Sequence, residues 1–297
     1  MKKLQITWTN QDQPDAGIKH FLGVHGVSHR MYNDLKQSGT IMVNGNETKL
    51  DYKLQVGDEI TIIFPPEESD DDVAFSDQPI DVVYEDDNWL VINKPAGLTS
   101  VPGPANREDT LVNRIKGYLR QQGSVDLKPH LITRLDRFTS GLVLVAKHRL
   151  ANSLANQEVA EHKIDKYYYA IVSGTGLPDH DIVDLPIGRV GDNFRREVIE
   201  DGQSANTEFW IVKNFSNYSL VKLKLHTGRT HQIRVHMTEL GHPLLGDELY
   251  GGPLDQGINR QALHAYYLSF NDGITNQIRT FETELPNDMT AVIEEEK

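Results

Sequence analysis

The side chains best suited to chemistry fall into three clusters. In HLITRLDRFTSGLVLVAKH (130–148), Asp136 stands between Arg134 and Arg137, just before Thr139-Ser140-Gly141 and an apolar run. A carboxylate at the edge of a buried strand is partly desolvated, and adjacent guanidinium groups favour its charged form, so it can act as a nucleophile or base. An N-cap or a loop ion pair would use the same residues. In LHTGRTHQIRVHM (225–237), a Thr-Gly turn leads into a helix whose first amides offer a seat for phosphate. Arg229, His231, Gln232 and Arg234 add donors for an anion or a base edge, and a solvated helix start would use them too. In KIDKYYYAIVSG (163–174), strand alternation puts Tyr168 on one face and Tyr167 and Tyr169 on the other. One face is core; the other can offer a ring to a planar ligand such as a nucleobase.

Several other chemistries find no pattern. The chain has no cysteine, which excludes disulfides, thiolate metal sites and thiol nucleophiles. It carries neither a G-x-x-x-x-G-K-[ST] phosphate loop nor a G-x-S-x-G nucleophile elbow. His231 and His236 lack the spacing and the glutamate of a zinc helix, so no metal is expected.

These clusters must be positioned by mixed elements. Strands are expected at 80–95, 140–147, 166–173, 206–213, 218–226, 263–270 and 277–285, and helices at 110–123, 149–162 and 231–240. Because helices and strands mix without βαβ alternation, the class is α+β with a largely antiparallel or mixed sheet. Ahead of them, residues 16–27 and 28–39 read as short helices, and 40–50 as a strand entering an Asn-Gly turn. A further strand at 54–64 closes this N-terminal module. Between the two parts, 67–87 holds ten acidic residues and no basic one, and its first half reads as a solvated linker. The expected division is 1–66, a linker at 67–79, and 80–297.

The net charge of −13 is unevenly spread. Residues 1–87 carry 7 Lys and Arg against 17 Asp and Glu, whereas 88–250 carry 20 against 18. A polyanion could therefore meet a locally basic surface despite the overall field. No apolar run approaches the roughly 20 residues of a membrane span, and no secretory signal is evident, so a cytoplasmic protein without membrane partners is expected.

Six motifs occur together: DDNWLVINKPAGLTSVPGP (86–104), RLDRFTSGL (134–142), K-x-Y-x-A-x-V-x-G (166–174), TGRTHQIRVHM (227–237), GDELYGG (246–252) and LHA (263–265). In this order they resemble the RluA/RluD-type pseudouridine synthases over residues 80–285. The N-terminal module resembles the S-four RNA-binding module, through GTIMVNG and VGDEI, although only Lys19, Arg30 and Lys36 supply its basic surface. The resemblance implies a pseudouridine synthase fold, a mixed and largely antiparallel central sheet flanked by helices, with a small α/β S-four-like domain. It implies isomerisation of a flipped-out uridine in RNA without an external cofactor. Asp136 aligns with the catalytic aspartate, Tyr168 with the tyrosine that stacks on the base, and Arg234 with the basic partner of the aspartate. Arg134 matches an arginine that can fill the space the flipped nucleotide leaves. Thr139, Arg229, His231, Gln232 and Lys94 complete the expected substrate contacts. Thr133 stands where the family usually has histidine. The implied partner is ribosomal RNA of the large subunit; the alternatives are transfer RNA and a non-catalytic RNA-binding protein. A monomer is expected.

Overall fold

The computed structural model of the chain describes residues 4–67, 69, 72–104, 106–191 and 194–294; Met1 to Lys3, and Glu68, Asp70 and Asp71 of the acidic stretch, lie outside the described residues. Among the described residues a ten-stranded sheet dominates. Its main path runs His180–Asp184, Asn206–Asn214, Tyr218–Leu225, Asp165–Ser173, Leu263–Asp272, Ser140–Ala146, Trp89–Lys94 and Val82–Glu85. Gln277–Glu282 and His130–Leu131 pair onto it from the side. Ser140–Ala146 lies parallel to Leu263–Asp272, and the other neighbours along the path are antiparallel. The α+β expectation, with a mixed and mostly antiparallel sheet, is met.

The continuous apolar runs of Trp89–Lys94 and Ser140–Ala146 are explained by burial on both faces. On one side Leu90, Ile92, Val143 and Val145 meet Leu111, Ile115 and Leu119 of the helix Leu111–Gln121. On the other, Trp89, Val91, Leu142 and Leu144 meet Ala151 and Ala155 of the helix Arg149–Ala160. Thr110 starts the first helix with a capping box closed by Asn113. His148 starts the second, its Nδ1 accepting the Ala151 N–H at 3.2 Å. That acceptor role requires a neutral ring, and burial pushes the imidazole down to about 4.

Part of the acidic stretch departs from the solvated linker expected of it. Val73 to Asp77 lie along the helix Leu111–Gln121, where Asn113 Nδ2 donates to the Ala74 carbonyl and Lys116 Nζ to the Val73 carbonyl. Arg120 pairs with Asp77 at 2.8 Å, and Lys116 and Arg120 both sit over the Phe75 ring. Cations from a distant helix offset the repulsion that composition alone implied.

Residues 4–66 build a separate four-stranded sheet, ordered Gln5–Thr9, Glu59–Ile63, Thr40–Val43 and Asn46–Glu47, beside helices Ile18–Val24 and His29–Ser38. The Asn44-Gly45 hairpin is present, with positive φ at both residues (52° and 78°). Ser28 caps the second helix by accepting the Met31 N–H. The first strand was not among the expected elements, nor were the hairpin Ile187–Arg189/Arg196–Val198 and the helix Asn287–Glu294. The core of this unit (Phe21, Leu22, Leu35, Ile60, Ile62) continues into Leu150 of the helix Arg149–Ala160. Arg149 also reaches Asp34 at 2.6 Å.

Candidate active site

Asp136 sits on a loop whose backbone is fixed carbonyl by carbonyl. Ser100 Oγ donates to the Leu135 carbonyl at 2.6 Å, and the Thr139 N–H donates to that of Asp136 at 3.1 Å. The Arg137 carbonyl accepts from the Gly97 N–H and from Lys94 Nζ, and that of Phe138 accepts from Arg260. Leu135 anchors the loop in the core beneath. Just beyond it, Gly141 has φ 115°, and a Cβ there would run into the Ala265 carbonyl oxygen at the parallel strand junction. The loop is therefore rigid, and it presents the Asp136 carboxylate with its side chain 25% exposed.

Tyr168 lies close enough to this carboxylate to feel its charge. Its strand pairs with the one carrying Ala265, whose other neighbour is Gly141 at the end of the Asp136 loop. Burial, reinforced by the nearby Asp136 charge, pushes the phenol's ionisation up, which keeps Tyr168 neutral. Tyr167 and Tyr169 lie on the opposite face, against Tyr267 and Tyr266.

The helix Gln232–Glu239 supplies the cation. Arg234 Nη1 donates to Asp136 Oδ2 at 3.1 Å, while Nε and Nη2 form a fork on Asp247 at 2.7 and 2.9 Å. The Tyr250 ring lies 4.8 Å from the guanidinium. Burial opposes the charge on Arg234; hydrogen bonding and attraction from Asp247, then from Asp136, outweigh it and hold the guanidinium further towards its charged form. His231, the residue before this helix, adopts the left-handed conformation (φ 59°) and brings Nε2 to 3.8 Å from Asp136 Oδ2. Burial pushes its imidazole down, Asp136 opposes and Arg234 reinforces, so the ring is neutral near pH 7.

The remaining expected contacts divide. Arg134 is exposed two residues before Asp136, and Arg229 is half-buried, donating from Nε to the Ser204 carbonyl. Three others are corrected by their burial. Lys94 is fully enclosed, and Nζ donates to the carbonyls of Pro95, Leu98 and Arg137, so it braces the Asp136 loop instead of facing substrate. Burial pulls its ammonium down to about 7, with Asp136 opposing and Arg260 reinforcing. Thr139 is buried with its hydroxyl accepting from Gln261. Gln232 is buried and saturated: its oxygen accepts from the Thr227 hydroxyl and the Arg229 N–H, and its nitrogen donates to Asn206 O and Thr207 Oγ1. The Arg229 amide, expected to be open for phosphate, is thus taken by the protein's own glutamine. Thr133 is also structural, its hydroxyl accepting the Leu144 N–H at 2.9 Å.

Asp247 and Tyr250 were not singled out beforehand, although both lie in GDELYGG. The available signal was an acidic and an aromatic residue bracketed by glycines. At Gly246 (φ 72°) a Cβ would strike the Arg260 carbonyl, so the turn is pressed into the structure. Arg260 was missed as well: it forks onto Asp288 and ties down the chain on either side of the junction. Among the described residues no three His, Cys, Asp or Glu side chains converge as metal ligands, and no helix is long and apolar enough to cross a membrane.

Residues 88–239 match the family model for RNA pseudouridylate synthases. The Bacillus subtilis protein named uncharacterized RNA pseudouridine synthase YjbO is 40% identical over 281 residues, spanning 94% of this chain and 99% of that protein. The ribosomal large subunit pseudouridine synthase D of Zymomonas mobilis is 39% identical over 229 residues, spanning 72% of this chain and 71% of its own. Among solved structures, human RNA pseudouridylate synthase domain containing 1 superposes with a TM-score of 0.60 at 26% identity, over 73% of this chain and 89% of that one.

Proposed function

The chain belongs to the RNA pseudouridylate synthase family and is an isomerase acting on RNA, and we propose that Asp136 is the carboxylate that drives its reaction. The single observation carrying this assignment is a partly exposed Asp136 held at 3.1 Å by the Arg234 guanidinium, with the buried Tyr168 ring near enough to feel the same carboxylate charge. Conversion of uridine to pseudouridine breaks the N1–C1′ bond and forms a C5–C1′ bond. The C5 proton is lost and N1 gains one, so no redox partner is required.

The target base must leave its stack, at a cost of a few kcal/mol, and phosphate contacts from arginines such as Arg134 and Arg229 offset that cost. Asp136 then works at the ribose, by attack on C1′ or by removal of the 2′ proton. Arg234 holds the carboxylate in one orientation, and the neutral Tyr168 ring packs against the freed base so that it turns without escaping. Arg134, exposed two residues before Asp136, fills the space left by the extruded nucleotide.

Large-subunit ribosomal RNA is the proposed substrate, supported by relatives named for that activity at 39% and 35% identity. The unit formed by residues 4–66 is proposed as an S-four-like RNA-binding module that tunes substrate choice, acting in the cytoplasm as part of a monomer. Pseudouridine mapping in cells with the intact gene, without it, and with Asp136→Asn tests both the residue and the substrate. A large-subunit position modified only by the intact gene is expected. Modification persisting with Asp136→Asn would remove that residue from the chemistry, and a position in transfer RNA would replace the substrate.

A further inference from the structure

Asp247 and Tyr250 lie at either end of one short turn, Glu248–Tyr250 with Asp247 as its N-cap. Each grips a different residue that faces Asp136. Asp247, with its side chain 1% exposed, holds two of the donors of Arg234 and leaves Nη1 for Asp136. The Tyr250 hydroxyl accepts the Arg196 N–H at 2.9 Å and lies 2.9 Å from His231 Nδ1. A phenol oxygen that already accepts one hydrogen bond has its own proton left to give. Given to His231 Nδ1, that proton leaves the imidazole proton on Nε2, the nitrogen 3.8 Å from Asp136 Oδ2.

We propose that this turn is the positioning device of the site: Asp247 fixes the guanidinium of Arg234, and the Tyr250 hydroxyl fixes His231 as the neutral tautomer with its proton on Nε2. The proposal rests on the reading of Asp136 as the reacting carboxylate and gives His231 a chemical task within it. A neutral N–H donor beside the carboxylate serves an acceptor oxygen of the target nucleotide. It supplies a hydrogen bond without adding a second full charge next to Arg234. Tyr250 and Asp247 touch neither substrate nor reacting atoms and act only through their partners.

Two variants separate this role from a merely structural one. The groups facing His231 are Asp136 from its loop, Arg234 from its own helix, Arg196 from the neighbouring hairpin, and Asp247 and Tyr250 from the turn. Tyr250→Phe keeps the ring beneath Arg234 and removes the donor that stabilises the neutral imidazole, so His231 should titrate at higher pH. Asp247→Asn removes an anion that favours the imidazolium, so His231 should titrate at lower pH. Nitrogen NMR of the histidine rings, assigned by comparison with His231→Gln, reads both tautomer and titration. The wild type should show Nε2 protonated, and the two variants should shift in opposite directions. Tritium release from bulk RNA labelled at uridine C5 should show kcat reduced by roughly 10- to 100-fold in each variant, with KM nearly unchanged. An Nδ1-protonated His231 in the wild type, shifts of the same sign, or unchanged kcat would overturn the proposal. Absence of release by the wild type would instead overturn the reading of Asp136, and the imidazole spectra would still decide the role of the turn.

Discussion

The loop carrying Asp136 and the unit of residues 4–66 are held in different ways. Around Asp136 the stabilising contacts are polar and buried: Lys94 and Ser100, Asp247, and Arg260 come from three separate segments to meet one loop and one helix. The N-terminal unit is held by aliphatic and aromatic packing around Phe21, Leu35 and Ile60, with many of its polar contacts in local turns such as Gln55 N–H to Asp58. A polar network specifies one geometry and leaves little tolerance, because each member removed leaves a buried partner unsatisfied. An apolar core tolerates repacking and transmits little about charge. The charge is divided along the same line: the 88–250 segment is near neutral and buries Arg234 at the site, while the acidic surplus lies mainly in the N-terminal part.

Removing Arg234 should have the largest effect on this contrast. Arg234→Ala leaves Asp247 as an uncompensated buried carboxylate and should cost about 3–5 kcal/mol in urea denaturation, together with activity. A cost below about 1 kcal/mol would show that the network is not under the constraint described. In the N-terminal unit the comparable change is apolar: Leu150→Ala, at the fully buried point shared with the helix Arg149–Ala160, should cost about 3 kcal/mol. It should loosen the unit while label release on bulk RNA falls less than with Arg234→Ala. Equal losses in activity would mean that the two regions are more tightly coupled than their packing implies.

Lys94 gives the contrast a pH dependence. Its ammonium titrates at about 7 in the fold and near ~10.4 in an unfolded chain. Between these values the unfolded chain binds the extra proton. Folding stability therefore rises with pH from about 7 towards 10, and the penalty is fully present below 7. Measured against Lys94→Met in urea titrations, the wild type should gain on the order of 4 kcal/mol across that window, and a flat difference would contradict it. The smallest effect belongs to the partly exposed pair Arg149–Asp34: Asp34→Ala should cost no more than about 1 kcal/mol, checked by the same denaturation.

What the sequence revealed follows the same line. Apolar periodicity and caps disclosed the buried strands and the helices begun by Thr110 and Ser28, since those signals are local. The Asp136, Tyr168 and Arg234 set was legible because each lies in a compact motif. Lys94, Thr139 and Gln232 look like substrate contacts in the sequence because residue type does not reveal burial; in the fold all three spend their hydrogen bonds inside the protein. Asp247 and Arg260 escaped notice because their partners lie far along the chain or at carbonyls, which leave no mark on composition. The ordering of Val73–Asp77 leaves no local mark either, since its cations lie on Lys116 and Arg120. The hairpin Ile187–Arg189/Arg196–Val198 has strands of three residues, too short for alternation to register.

The central claim is that one carboxylate on a rigid loop acts on the ribose of a uridine in RNA. Single-turnover release of tritium from C5-labelled bulk RNA, with excess wild-type or Asp136→Asn protein, tests it most directly. The wild type should release label into water, and the variant, folded to the same stability within about 1 kcal/mol, should be slower by at least about 1000-fold. Release by Asp136→Asn at a rate close to that of the wild type would contradict the account.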